Sequence, residues 1–200
     1  MGEERRLAGA FEKAVGELRL RDVSILVSGS GGLLEGNRVM LRVLNRTAII
    51  SVEDWSVVWQ DGGEPDPDTK VVILHYLLGS PGKLEHRLIS YREIEGGSLY
   101  YSVFHQRAIA PLVRMFERDP EALGRAASSL GGIRVQRGDM SFDFMFFPFL
   151  LVNISFWKGD EEVPTTGNIL FDASAANALR AEDLAHLGGD FVGYLRRGKV

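Results

Sequence analysis

The sequence contains no cysteine. That removes disulfides, thiolate metal sites, cysteine-ligated iron–sulfur clusters and thiol nucleophiles, so any chemistry in this chain must use oxygen or nitrogen. Long apolar runs are missing too. The longest uncharged stretch, Phe144 to Trp157, falls short of the ~20 residues of a membrane helix and contains Pro148 and Asn153, so no membrane span is expected. There is no basic run: the net charge is −4, and 18 of the 23 basic residues are arginines scattered along the chain. This argues against nucleic acid as a partner. The start, Met1-Gly2-Glu3-Glu4-Arg5-Arg6, has neither the apolar core nor the small-residue cleavage site of a secretory signal, and the expected location is the cytoplasm.

What is present fits an ordinary globular protein. With 200 residues, 45% hydrophobic and 25% charged, the chain can build one sizeable core, so one domain over 1–200 is expected, with ends at 1–4 and 196–200 that fray. Leu7, Ala10, Phe11, Ala14, Val15 and Leu18 recur at helical spacing, with acids in front and arginines behind, which predicts an N-terminal amphipathic helix. Val23 to Val27 reads as strand-like. The stretches Arg38–Leu44, Ala48–Val52 and Trp55–Trp59 read as neighbouring antiparallel strands. Asp61-Gly-Gly-Glu-Pro-Asp-Pro-Asp68 is a loop whose last aspartate can cap a helix over Thr69–Leu78, ended by Gly79-Ser-Pro-Gly82.

Beyond it, His86–Tyr91 reads as a strand. A helical region from Leu99 to Arg118 should kink or restart at Pro111, and Pro120–Leu130 forms a short helix. Phe142, Phe144 and Phe146, then Leu150, Val152, Ile154 and Phe156, alternate with other residues as two strands broken at Pro148. Asn168–Phe171 is a last strand, and Asp172 is placed to cap a helix running to about Leu187 before Gly188-Gly189. Strands in two groups with helices around them, alternating instead of uniformly apolar, predict an α+β domain with an antiparallel or mixed sheet covered by helices.

Ser28-Gly-Ser-Gly-Gly32 lacks the third glycine of a dinucleotide fingerprint and the Gly-Lys-Ser/Thr of a phosphate-binding loop, and is read as a turn. His75 shares a predicted helix face with Val71, Leu74 and Leu78. It is read as an inward histidine with its ring nitrogens hydrogen-bonded, the alternative being a ligand or base. Asp160, Glu161 and Glu162 stand together in Trp157-Lys-Gly-Asp-Glu-Glu-Val-Pro164, and Asp172 would join them if the next strand returned alongside. Such an oxygen-only set would suit Mg²⁺, Mn²⁺ or Ca²⁺, whereas acids beside glycine and proline also make an exposed hairpin tip. Six of the eleven phenylalanines lie between Phe142 and Phe156, either lining a pocket for an apolar ligand or forming a sheet core. No nucleophile elbow or Ser-x-x-Lys arrangement is evident.

The order of Val72-Ile-Leu-His-Tyr-Leu-Leu78, Tyr91-Arg-Glu with Gly96-Gly and Tyr100, Gly138-Asp-Met-Ser-Phe142, Phe147-Pro148, Trp157-x-Gly-Asp-Glu-Glu-x-Pro164 and Ile169-Leu-Phe-Asp-Ala-Ser174 with Glu182-Asp183 resembles a prokaryotic domain-of-unknown-function family. The likeness covers roughly residues 10 to 187. That family is common in anaerobes, and some members carry an extra Cys-rich iron–sulfur module similar to that of corrinoid proteins. The resemblance implies a setting in anaerobic metabolism and a redox or corrinoid-related protein partner; the module itself has no counterpart in this Cys-free chain.

Three functions follow as expectations. The first is a non-catalytic module binding a small ligand or cofactor, with His75, Arg92, Tyr100, Phe144, Phe146 and Trp157 as the candidate ligand-binding residues. The second is a metal-assisted enzyme using Asp160, Glu161 and Glu162, with Asp172 and His75 as further candidates. The third is a structural interaction protein, a homodimer among its forms. The absence of a recognisable catalytic set favours the first.

Overall fold

The computed structural model describes residues 2–198; Met1, Lys199 and Val200, among the positions expected to fray, lie outside the described residues. The fold is α+β, with two antiparallel sheets packed among helices. The N-terminal helix α1 (Gly2–Leu18) forms as its periodicity predicts and buries Ala14, Val15 and Leu18. The next segment corrects the sequence reading. Val23 to Val27 belongs to a helix, α2 (Val23–Ser30), despite its β-branched residues. The deciding signals are the Asp22 carboxylate, which accepts the Ser24 N–H at 2.8 Å, and Gly31, where the helix ends.

The first sheet is a meander of β1 (Leu33–Glu35), β2 (Arg38–Val43), β3 (Arg46–Ser51) and β4 (Val57–Trp59), in that order. Val39, Leu41 and Val43 face the core in the predicted alternation. The second sheet has the order β5-β9-β8-β7-β6, formed by β5 (Leu88–Ser90), β6 (Ile133–Arg134), β7 (Met140–Phe147), β8 (Leu150–Trp157) and β9 (Thr166–Asp172). The two sheets join at one point. In the two-residue turn between β2 and β3, Leu44 takes the left-handed conformation (φ 51°), buries its side chain and donates its N–H to the Phe146 carbonyl at 2.9 Å. That carbonyl lies within the register shift between Met145 and Phe147.

Helix α3 (Pro67–Gly79) begins two residues earlier than expected. Its cap is Asp66, whose carboxylate accepts the Thr69 N–H at 3.0 Å, because Pro67 suits a first helical position where no N–H is needed. Asp68 is thereby freed for another role. Helices α4 (Gly97–Phe104) and α5 (Ala110–Phe116) are joined without a break by a π turn, His105–Ile109, in which the Ala110 N–H reaches back to the His105 carbonyl. The α-helical pattern gives way to the π turn just before Pro111, where the sequence predicts a kink or restart, and the proline sits in the first turn of α5. After α6 (Pro120–Ser129), β9 leads into the short α7 (Ala175–Ala178) and the long α8 (Ala181–Arg197).

Two further expectations are corrected here. Asp172 caps no helix; it binds the N–H groups of Glu85, Arg87 and Ser174. Helix α8 does not stop at Gly188-Gly189 but runs through them. Gly188 is there because Phe104 packs onto it: a Cβ would come within 2.7 Å of that ring. The phenylalanines of β7 and β8 are core, with Phe191 of α8 edge-on to Phe144 at 4.7 Å and to Phe146 at 5.7 Å.

α3 is the centre of this packing, with Thr69, Val71, Val72, Ile73, Leu74, Tyr76 and Leu77 all buried. Its Tyr76 ring stacks on Phe147 at 4.1 Å, its hydroxyl donates to the Ser30 carbonyl at 3.0 Å, and the same oxygen accepts the Phe149 N–H at 3.0 Å. One phenol thus ties α2, α3 and the β7–β8 hairpin together. Tyr76→Phe strands a buried carbonyl and a half-buried N–H without changing the packing, and should lower the urea-unfolding free energy by about 2–3 kcal/mol. A loss below about 0.5 kcal/mol would show that these bonds are dispensable.

Candidate functional site

Four polar residues of α8 fall into one stripe, Asp183, His186, Asp190 and Tyr194, spaced by three and four residues. That stripe faces α3. His75 Nδ1 lies 2.8 Å from Asp183 Oδ1, Asp68 Oδ1 lies 3.1 Å from His186 Nδ1, and Thr69 Oγ1 lies 2.8 Å from the Tyr194 hydroxyl. Because His75 near the end of α3 meets Asp183 at the start of α8, and Thr69 at the start of α3 meets Tyr194 near the end of α8, the two helices are antiparallel. Among the described residues no buried side-chain nitrogen or oxygen lacks a partner, so the seam is polar and satisfied.

At one end of this seam lies a cleft of about 760 Å³ between α1, the end of α3, the Ile94–Gly96 segment and the α7–α8 corner. His75 and Asp183 both line it. Asp183 is nearly buried and its second oxygen accepts the Arg180 N–H at 3.3 Å, which fixes the carboxylate. With Nδ1–H donating to that carboxylate, the neutral imidazole carries its free lone pair on Nε2. The His75 side chain is 29% exposed, so the ring can meet a ligand. Gly79 sets the cleft's wall: a Cβ there would sit 2.2 Å from the Ala178 carbonyl oxygen, so only glycine lets α3 and α7 approach this closely.

Next to the cleft is a smaller pocket of about 340 Å³, and Tyr100 and Glu182 line both. Here His186 meets two arginines. Arg107 Nη1 is 3.2 Å and Arg6 Nη2 3.5 Å from His186 Nε2, while Arg6 also pairs with Glu182. Burial lowers the His186 pKa, Asp68 opposes that, and the charges of Arg107 and Arg6 lower it further. A neutral ring donating to Asp68 and accepting from the guanidinium groups satisfies this geometry. Arg107 reaches His186 from the π turn, whose extra residue turns it toward α8.

The structure brings together only two of the six ligand-binding residues expected from sequence: His75 and Tyr100 line the same cleft. The Arg92 guanidinium lies over the Tyr101 ring at 3.8 Å, outside the cleft's lining. Phe144 and Phe146 are buried in the core and offer no ligand surface. Trp157 stands partly exposed at the far end of β8.

The four acids proposed for a metal are not assembled. Asp160 accepts the N–H groups of Glu162 and Val163, closing a tight exposed turn, and the Val163 and Glu162 bonds lower its pKa. Asp172 lies at the opposite end of β9, about 20 Å along the strand from the turn. Burial disfavours its charge, but bonds from Ser174, Glu85 and Arg87 outweigh that and hold its pKa down. Among the described residues no three His, Asp or Glu side chains are grouped as a metal would need.

The seam's far end holds an unusually weak acid. Asp190 is partly buried, lies near Asp66 and Asp68, and has its pKa pushed up to about 7, first by burial and then by those two charges. In the unfolded chain it titrates near 4. The folded state therefore binds the extra proton between about pH 4 and 7: the stability it gives is full below 4 and lost as pH rises through 7. Asp190→Asn should abolish that decline and leave the protein more stable than wild type at pH 8, by on the order of 2–4 kcal/mol. Parallel pH–stability curves for the two proteins would contradict this.

Residues 22–194 match the family model described as Domain of unknown function (DUF3786). No curated protein and no solved structure matches the chain. No helix among the described residues is long and apolar enough to cross a membrane.

Proposed function

The chain belongs to the DUF3786 family, a domain of unknown function, and from that premise we propose that it is a binding module for a small polar organic ligand held in the cleft between α1, α3 and the α7–α8 corner. The observation that carries this reading is the His75–Asp183 pair, a partly exposed imidazole oriented by a fixed carboxylate in the wall of a cavity large enough for a small molecule. Lys13, Arg21 and Arg180 line it together with Glu17, Glu95 and Glu182, so the cleft offers donors and acceptors of both signs. That composition suits a polar ligand, whereas the phenylalanine strands first considered for an apolar one are occupied in packing.

The same imidazole has the arrangement of a general base, with the carboxylate fixing its tautomer. Among the described residues lining the cleft there is no serine, threonine or cysteine for it to activate, which favours binding over covalent catalysis.

The test is native mass spectrometry of the gently purified chain against its denatured mass. Wild type is expected to retain an organic mass. His75→Asn keeps a donor in the place of Nδ1 and removes Nε2, so it should fold with a Tm within a few degrees of wild type and lose that mass. A bare wild-type protein, or a variant that holds the same mass, would overturn the reading.

A further inference from the structure

We propose that the small pocket beside the cleft is an oxyanion site, in which Arg107 and Arg6 receive the phosphate or carboxylate group of the ligand bound in the cleft. This rests on the cleft being a ligand site, and it adds the chemical class of the ligand. Two guanidinium groups converge on one atom, His186 Nε2, at 3.2 and 3.5 Å. Arg107 donates there only to a neutral imidazole, and among the described residues it has no carboxylate partner. A guanidinium gains about twice as much from an ionised acceptor as from a neutral one, so Arg107 is an anchor without an ionised partner among the described residues.

Arg6 shows what such a partner looks like. It holds the carboxylate of Glu182, whose side chain is half exposed and stands at the boundary shared by the two cavities. Glu182 occupies the position a ligand's anionic group would take, and an incoming oxyanion would displace it toward solvent. Tyr100, lining both cavities, lies along the path between the oxyanion and His75. Two features of the fold build the site: the π turn that delivers Arg107, and Gly188, which lets this turn lie against α8, since a Cβ there would come within 3.2 Å of the Ala108 Cβ.

The experiment is a titration of the full-length protein with inorganic phosphate and, separately, with acetate, followed by the His186 ring signals in NMR and by Tm. At least one probe is expected to shift His186 saturably. Arg107→Gln should weaken that binding about tenfold, the loss of one charge-assisted bond. Glu182→Gln should strengthen it, because it frees Arg6; a merely structural role for Glu182 would not. Saturation by phosphate alone identifies a phosphate group, and by acetate alone a carboxylate. No saturable shift with either probe, equal affinity in Arg107→Gln, or weaker binding in Glu182→Gln would overturn the proposal. His75→Asn should bind the probes as wild type does while losing the cleft's organic mass, so a failure of the cleft reading is told apart from a failure of the oxyanion site.

Discussion

Everything described above depends on the burial of α3. A helix covered on nearly every side must find a partner for each polar group it carries inward, and α3 carries Thr69, His75 and Tyr76. Leaving any of them unpaired would cost on the order of 1–3 kcal/mol. Each is answered: Tyr76 by α2 and the β7–β8 hairpin, Thr69 by its own cap and the later part of α8, His75 by the first turn of α8. The need to satisfy these groups fixes where α8 lies, and the place of α8 creates the cleft.

The seam between α3 and α8 is consequently a row of titratable groups in different environments. His75 and Asp183 are at an open end, where the imidazole can meet a ligand; Asp190 and Tyr194 are at a closed end, where burial raises both pKa values. Between them, His186 is held neutral by burial and by two cations. Tyr91 completes the frame. Stacked on Phe104 at 4.1 Å, it donates its hydroxyl to the Ala181 carbonyl at 2.6 Å, pinning the start of α8 beside the cleft. The segment that carries the proposed ligand contacts is therefore braced from both sides, as a preorganised site requires.

Much of the fold was legible in the residues. The alternation of Val39, Leu41 and Val43, the phenylalanine strands, and the helical spacing in α1 each reflect one buried face, and periodicity reports burial directly. Errors arose where a local rule had a competitor. Val23–Val27 has strand propensity, but Asp22 and Gly31 supply helix ends, and caps won. Gly188-Gly189 resembles a helix stop; against Phe104 it is a packing surface. Asp172 resembles a cap, and instead gathers three N–H groups from two loops that the sequence does not place together.

For the site, the sequence by itself determined the chemistry on hand, no thiol and four histidines; the stripe of Asp183, His186 and Asp190 needs a helix that runs through Gly188-Gly189, which the residues did not announce. It marked His75 and Tyr100, though it could not say that they share a cavity. Only the tertiary structure decided which acid meets which histidine, that Arg6 from the first helix and Arg107 from the middle of the chain converge on His186, and that Asp172 and Asp160 stay apart. Spacing within a helix or strand fixes which residues share a face. Which faces meet is fixed by the packing of elements far apart in sequence, and the site lies where they do.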